Sequence, residues 1–230
     1  MATVTGERTG YHTLADVQAR VGYVPDDRVL VYPAAGTATE LDILDNTITG
    51  GRACELVDGI LVEKAMGYRE DYLAAWILRL LGRYLDVNDI GALCGSQGLI
   101  RFNLGLVRLP DVSFIRWDSV DDPDQIENPD GAFLEVPPDL VVEVLSERNT
   151  SREMAIKLGE YAAAGVKLVW YVDPDAKTVT VYPKGRERGK KVLTEADTLD
   201  GGKVLPGFAL PVKDIFAKRA PAKKVRKGKK

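Results

Sequence analysis

Three side chains between Leu109 and Tyr161 hold the chemistry to be placed: the carboxylates of Asp111 and Glu143 and the ammonium of Lys157. Both acids stand in short apolar runs. Val112, Phe114, Ile115 and Trp117 surround the first, and Leu140, Val141, Val142, Val144 and Leu145 the second. β-Branched and aromatic residues in such runs, opened by proline, read as strands. The second run is apolar enough for a strand covered on both faces. A carboxylate inside it is costly unless it is paired with a cation, protonated or bound to a metal ion. Pairing with an arginine would satisfy Glu143, and Lys157 would serve equally as a solvated lysine whose stem covers apolar surface. An acid at the start of one strand, an acid within the next and a lysine on the following helix form a set that scattered charges seldom produce.

The elements that must position this set can be read around it. Thr150 and Glu153 have capping-box spacing, so a helix starts there. Met154, Leu158 and Tyr161 give it a core face, and Gly165 is placed to end it. Such a helix returns over the sheet, with Lys157 at the inner edge of its apolar stripe. Earlier, CELVDGILVEKAMG reads as a hairpin turning at Asp58-Gly59. Glu55 and Glu63 lie on its arms, and either also suits a solvent-facing strand position. An amphipathic helix follows from Arg69 to about Leu85, with Leu73, Trp76, Ile77, Leu80, Leu81 and Tyr84 on one face. Glu70 stands in its first turn, where the helix dipole favours an acid in any case. One or two strands are expected within 91–103, and a polar loop over 118–137. Further strands are expected at Lys167–Val172, Thr178–Tyr182 and Lys191–Thr194, with a turn-rich stretch DGGKVLPGFALP and a short last helix from Val212. Near the start, Thr13 caps a helix to Val21 and Thr39 another over Glu40–Leu44. The pattern predicts an α/β fold with a mixed central sheet flanked by helices. It has an N-terminal helical extension packing on the core (1–50), a main domain (51–217) and a tail (218–230).

Composition narrows the chemistry. The chain has 230 residues, 45% of them hydrophobic and 28% charged, which suits one soluble domain with extensions. No apolar run approaches the length of a membrane span, and the first residues lack the apolar core of a signal peptide. Cys54 and Cys94 form no metal-ligand pattern, so reduced thiols in a cytoplasm are expected. With His12 as the sole histidine, a histidine-based metal site and a Ser-His-Asp triad are disfavoured. A metal ion here would need oxygen ligands, which points to magnesium or manganese. The net charge of −3 hides an asymmetry: KRAPAKKVRKGKK carries eight basic residues and no acid. The other 217 residues hold 23 basic against 34 acidic side chains, a net of −11. A tail of this kind reads as a disordered arm for nucleic acid, through Lys223, Lys224, Arg226, Lys227, Lys229 and Lys230, or as a solubilising end.

At CELVDGILVEKAMG, LPDVSFI, PPDLVVEVLSERNT, KLGEYAAAGVKLVWYVDP and LPGFALP the chain resembles the Uma-type restriction-endonuclease family of the PD-(D/E)XK nuclease superfamily. The resemblance runs from about residue 53 to about 216. It implies a restriction-endonuclease-like core and magnesium-dependent hydrolysis of phosphodiester bonds in DNA. Asp111 and Glu143 match the acids of the superfamily motif. Leu145 stands where the motif has lysine, and Lys157 matches the lysine that replaces it in Uma-type chains. A further acid commonly comes from the first helix. Glu70 stands where many Uma-type members have histidine, and Glu55 matches an acid common in the family's hairpin. On this reading Asp111, Glu143 and the carbonyl of Val144 hold the ion, and Lys157 orients water or stabilises transition-state charge. A homodimer would suit cutting both strands. A non-catalytic nucleic-acid-binding or protein-interaction module retaining the nuclease fold is the alternative, and the acidic body argues against tight DNA binding by the folded part.

Overall fold

Local capping chemistry sets most helix starts. The computed structural model describes residues 10–127, 129 and 131–217. In it Thr13 and Asp16 close a capping box on α1 (Leu14–Val21). Thr39 and Asp42 close another on α2 (Glu40–Leu44), and Asp45 caps the single turn α3 (Asn46–Thr49). The apolar run after Arg28 forms no strand. Val29 makes an isolated bridge to Val62, and the Leu30 N–H donates to Leu61 O at 3.0 Å. That hairpin comprises β1 (Cys54–Val57) and β2 (Ile60–Glu63). Asp58 and Gly59 both have positive φ, 48° and 76°, as its two-residue turn requires. Gly59 is needed twice over, since a Cβ there would lie 2.5 Å from the Gly36 carbonyl carbon.

Helix α4 (Tyr68–Leu85) buries Leu73, Ala74, Ile77 and Leu81. Strands β3 (Gly91–Gly95), β4 (Ile100–Asn103), β5 (Leu106–Arg108) and β6 (Val112–Arg116) follow. The polar loop contains one helical turn, α5 (Asp124–Glu127). Then come β7 (Leu140–Val144), α6 (Ser151–Ala163) with its Thr150/Glu153 capping box, β8 (Leu168–Asp173), β9 (Thr178–Pro183) and β10 (Lys191–Leu193). The stretch expected to be mostly turn pairs instead as a ribbon, β11 (Thr198–Gly201) with β12 (Leu205–Pro211), before α7 (Val212–Phe216). Its prolines and glycines are tolerated because the ribbon has only two strands and a register shift at Asp200/Gly201. Leu199, Leu205, Phe208 and Leu210 meanwhile enter the core.

The six-stranded sheet runs β10-β9-β8-β7-β6-β3. Only β7 and β8 are parallel, with α6 as their crossover, so the sheet is mixed. A second, antiparallel sheet runs β2-β1-β5-β4. Strand alternation decides what faces what. Leu140, Val142 and Val144 join the core shared with α4, while Val141 joins Met154, Leu158 and Tyr161 of α6. Glu143 alternates with the first set and therefore lies on the α6 face. The N-terminal segment is tied to this side: Val17, Val21 and Val24 pack on Val57, Ile60 and Val62. Arg28, itself buried, pairs with Glu153 at 2.7 Å.

Candidate active site

The sheet register brings the two acids together. Strands β6 and β7 pair antiparallel with Val112 opposite Val142. Carried one residue further, this register sets Asp111 opposite Glu143, both on the α6 face. Asp111 Oδ2 accepts the Val144 N–H at 2.6 Å, which fixes the acid at the end of its strand. Glu143 accepts the Tyr161 hydroxyl proton from α6. Asp111 is 3% and Glu143 4% exposed, so their charges sit in a low-dielectric place.

Lys157 is buried, one turn before Tyr161 on α6. Its Nζ lies 2.9 Å from Glu55 Oε1 and 3.7 Å from Glu143 Oε1. Glu55 also accepts Arg108 Nη1 at 2.8 Å and the Leu109 N–H at 3.2 Å. Arg108 continues to Glu160 at 2.6 Å, and Glu160 to Arg20 of α1 at 3.2 Å. A chain of alternating charges thus runs from α1 through α6 to the hairpin and ends on Glu143. Burial alone would raise the Glu55 carboxyl. Lys157 and Arg108 more than reverse this and hold it at about 2. Burial pushes Glu143 up to about 7: Lys157 pulls it down, and Asp111 pushes it up again. Burial would lower the Lys157 ammonium, but Glu143 and Glu55 raise it overall, so it stays charged. Burial and the charge of Glu143 hold the Tyr161 hydroxyl well above its ordinary value, so it remains a donor.

Four of the residues singled out in the sequence, Asp111, Glu143, Lys157 and Glu55, therefore meet in one buried cluster. Glu70 is placed elsewhere. Its Oε2 turns back to accept the Gly67 N–H at 3.1 Å, closing the start of its own helix. The acid lines a hollow of about 310 Å³ with Ser146, Glu147 and Arg148 beyond the end of β7. Val144 enters through its N–H to Asp111. The tail residues Lys223, Lys224, Arg226, Lys227, Lys229 and Lys230 lie outside the described residues. Sequence reasoning missed Lys64, Arg108, Glu160 and Tyr161. Lys64 Nζ lies 2.7 Å from Asp111 Oδ1.

The donors suit a hard cation. Among the described residues no three acids converge as a metal cluster, but magnesium commonly uses only one or two carboxylates together with substrate phosphates and water. Asp111 and Glu143 supply two such oxygen donors, and burial, with Asp111 opposite, raises the Glu143 carboxyl despite Lys157 and Lys64. Among the described residues no helix is long and apolar enough to cross a membrane.

The comparisons agree with this fold. A family model described as "Uma2: Putative restriction endonuclease" matches residues 39–213. The match takes in α2 and α3 as well as both sheets and α6. No curated protein matches the chain. Among solved structures, "a putative nuclease belonging to DUF820" from Anabaena variabilis superposes with a TM-score of 0.61. It is 18% identical, and the alignment covers 72% of this chain and 90% of that one. At this identity the likeness establishes a shared fold.

Proposed function

We propose, for a chain that belongs to the Uma2 family of restriction-endonuclease-like proteins, that it hydrolyses phosphodiester bonds of DNA with magnesium or manganese held by Asp111 and Glu143. One observation carries this reading: two buried carboxylates face each other across β6 and β7, with the Lys157 ammonium 3.7 Å from the second. A bound divalent ion would supply an activated water and polarise a phosphoryl oxygen. The chain's own part is positioning. Glu55, anchored in turn by Arg108, holds the Lys157 ammonium beside Glu143, so that positive charge is preorganised where a phosphoryl oxygen gains negative charge. Tyr161 orients the Glu143 carboxylate by donating to it. The Val144 N–H does the same for Asp111.

The test is cleavage of supercoiled plasmid by the full chain with magnesium, manganese or EDTA. Nicked or linear product is expected only with a metal ion, falling at least about 100-fold in Asp111→Asn and in Glu143→Gln. Plasmid that stays intact with either ion, in the presence of folded protein, would refute the reading. The basic tail has its own assay. If about five of its charges meet phosphates, the slope of log affinity against log salt is roughly −4 to −5. Removing residues 218–230 should flatten that slope and leave thermal stability unchanged. An unaltered slope would make the tail a solubilising end.

A further inference from the structure

Lys64 follows β2 directly, and its backbone N–H donates to the Ala53 carbonyl at 2.8 Å, extending the hairpin by one bond. This fixes its side chain on the Asp111 side, although 47 residues separate the two in sequence. The side chains of Lys64 and Asp111 are each 3% exposed, and Nζ stands 2.7 Å from Oδ1. The contact is close but poorly directed: among the described residues neither Lys64 Nζ nor Asp111 Oδ1 makes a hydrogen bond of acceptable geometry. The two are held by charge. Lys157 differs, since it donates a directed bond to Glu55.

We propose that Lys64 is a built-in counterion that holds Asp111 in the cation-free protein and is displaced when a divalent cation binds there. The inference rests on the reading of Asp111 and Glu143 as a cation-holding pair. Asp111 Oδ2 accepts the Val144 N–H and Oδ1 faces the Lys64 ammonium at 2.7 Å, so a divalent cation held at Oδ1 would stand against that ammonium and repel it. The exchange is favourable in charge. One ammonium offsets Asp111 alone, while the nearest ammonium to Glu143 sits at 3.7 Å and is closer to Glu55. A doubly charged ion between the two acids offsets both. The exchange is also mechanically feasible, because lysine carries a compact charge on a flexible four-carbon stem and loses no directed hydrogen bond on leaving. The arrangement keeps a buried acid compensated between turnovers at the expense of metal affinity.

Manganese binding, followed by electron paramagnetic resonance of the free ion, tests this without reference to cleavage. Lys64→Met, which keeps the stem volume, is expected to bind manganese at least about tenfold more tightly than the unaltered chain, and adding Asp111→Asn should abolish the gain. Equal affinity in Lys64→Met and the unaltered chain, with binding still lost in Asp111→Asn, would overturn the counterion role and leave the metal pair standing. Absence of binding in both would overturn the pair and Lys64 together. Should Lys64→Met fail to fold, the unaltered chain decides. Acetylation by acetic anhydride, read by mass spectrometry, should mark Lys64 slowly in EDTA and several-fold faster with saturating manganese. Manganese bound with no change in Lys64 labelling would exclude displacement.

Discussion

Glu55 and Glu143 share a lysine and a degree of burial, yet their environments drive them apart. Glu55 is met by Lys157 at 2.9 Å, Arg108 at 2.8 Å and the Leu109 N–H at 3.2 Å, with donors on both oxygens. Its carboxyl is held at about 2. Glu143 has the Tyr161 hydroxyl, an ammonium at 3.7 Å and another acid opposite, and burial carries it to about 7. The same desolvation acts on both, so the number and directness of donors decides the outcome. A carboxylate with directed donors on both oxygens, two of them cationic, is a structural anchor. One whose charge is only partly offset is poised to take a cation or a proton, and such sites gather where function is.

The largest effect that could break this contrast is on stability in EDTA. Glu55→Gln strips the charge from under Lys157 and Arg108, and removing one member of a buried ion pair costs about 3–5 kcal/mol. Because the folded-state value of Glu55 is depressed, its contribution is present above about 4.5 and lost as pH falls through about 2. The deficit of Glu55→Gln should shrink across that window. Glu143 has the opposite sign: its folded-state value is raised, so its contribution is present below about 4.5 and lost as pH rises through about 7. Glu143→Gln should therefore be neutral at pH 5 and stabilising at pH 8, by on the order of 1–3 kcal/mol. Urea unfolding of both variants at these pH values measures the difference. Equal destabilisation by the two would erase the distinction between anchor and poised acid.

Lys157 is the group the two acids share, and its loss sharpens the contrast differently. Lys157→Met keeps the stem that packs within α6, and Glu55 retains Arg108 and Leu109 as donors. Plasmid cleavage should fall by about 10²–10³-fold, the usual effect of removing a preorganised donor from a developing anion. Manganese affinity should stay the same or rise, since a competing cation near Glu143 has gone. A variant that cleaves at the original rate would remove Lys157 from the chemistry and leave it as a partner of Glu55.

Why some of this was legible beforehand and some was not follows from distance along the chain. Capping boxes at Thr13, Thr39 and Thr150 and the Asp58-Gly59 turn are local signals, complete within a few residues, and each is where the sequence implies it. The apolar run of β7 announces a buried strand, and Tyr161 and Leu158 announce the helix face that covers it. The ribbon β11–β12 was hidden because its glycines and prolines imitate loop composition, while its pairing is set by Leu199, Phe208 and Leu210 entering the core. Lys64, Arg108 and Glu160 carry no local mark. Their partners lie 47, 53 and 52 residues away, so only the folded sheets bring them together. Glu70 shows the converse, an acid whose first-turn position is marked locally and whose bond is to Gly67 three residues away.

The smallest expected effect concerns Tyr161. Its ring packs on Phe102 with centroids 5.1 Å apart, so Tyr161→Phe keeps the packing and deletes only the hydroxyl that donates to Glu143. In EDTA at pH 8 the change should cost about 1–2 kcal/mol, in the range for a hydrogen bond to a charged group. It should also move the Glu143 transition to still higher pH, because the ionised form has lost its one directed donor from α6. With manganese bound, the offset of charge no longer depends on the hydroxyl, and cleavage should fall by less than about tenfold. A double-mutant cycle isolates the bond: Tyr161→Phe placed on Glu143→Gln should cost little, giving a coupling of about 1 kcal/mol or more between the two positions. Additive effects would mean that Tyr161 only packs. Glu143 would then rely on ammonium groups that make no directed bond to it, the Lys157 Nζ at 3.7 Å among them, and its contrast with Glu55 would be greater still.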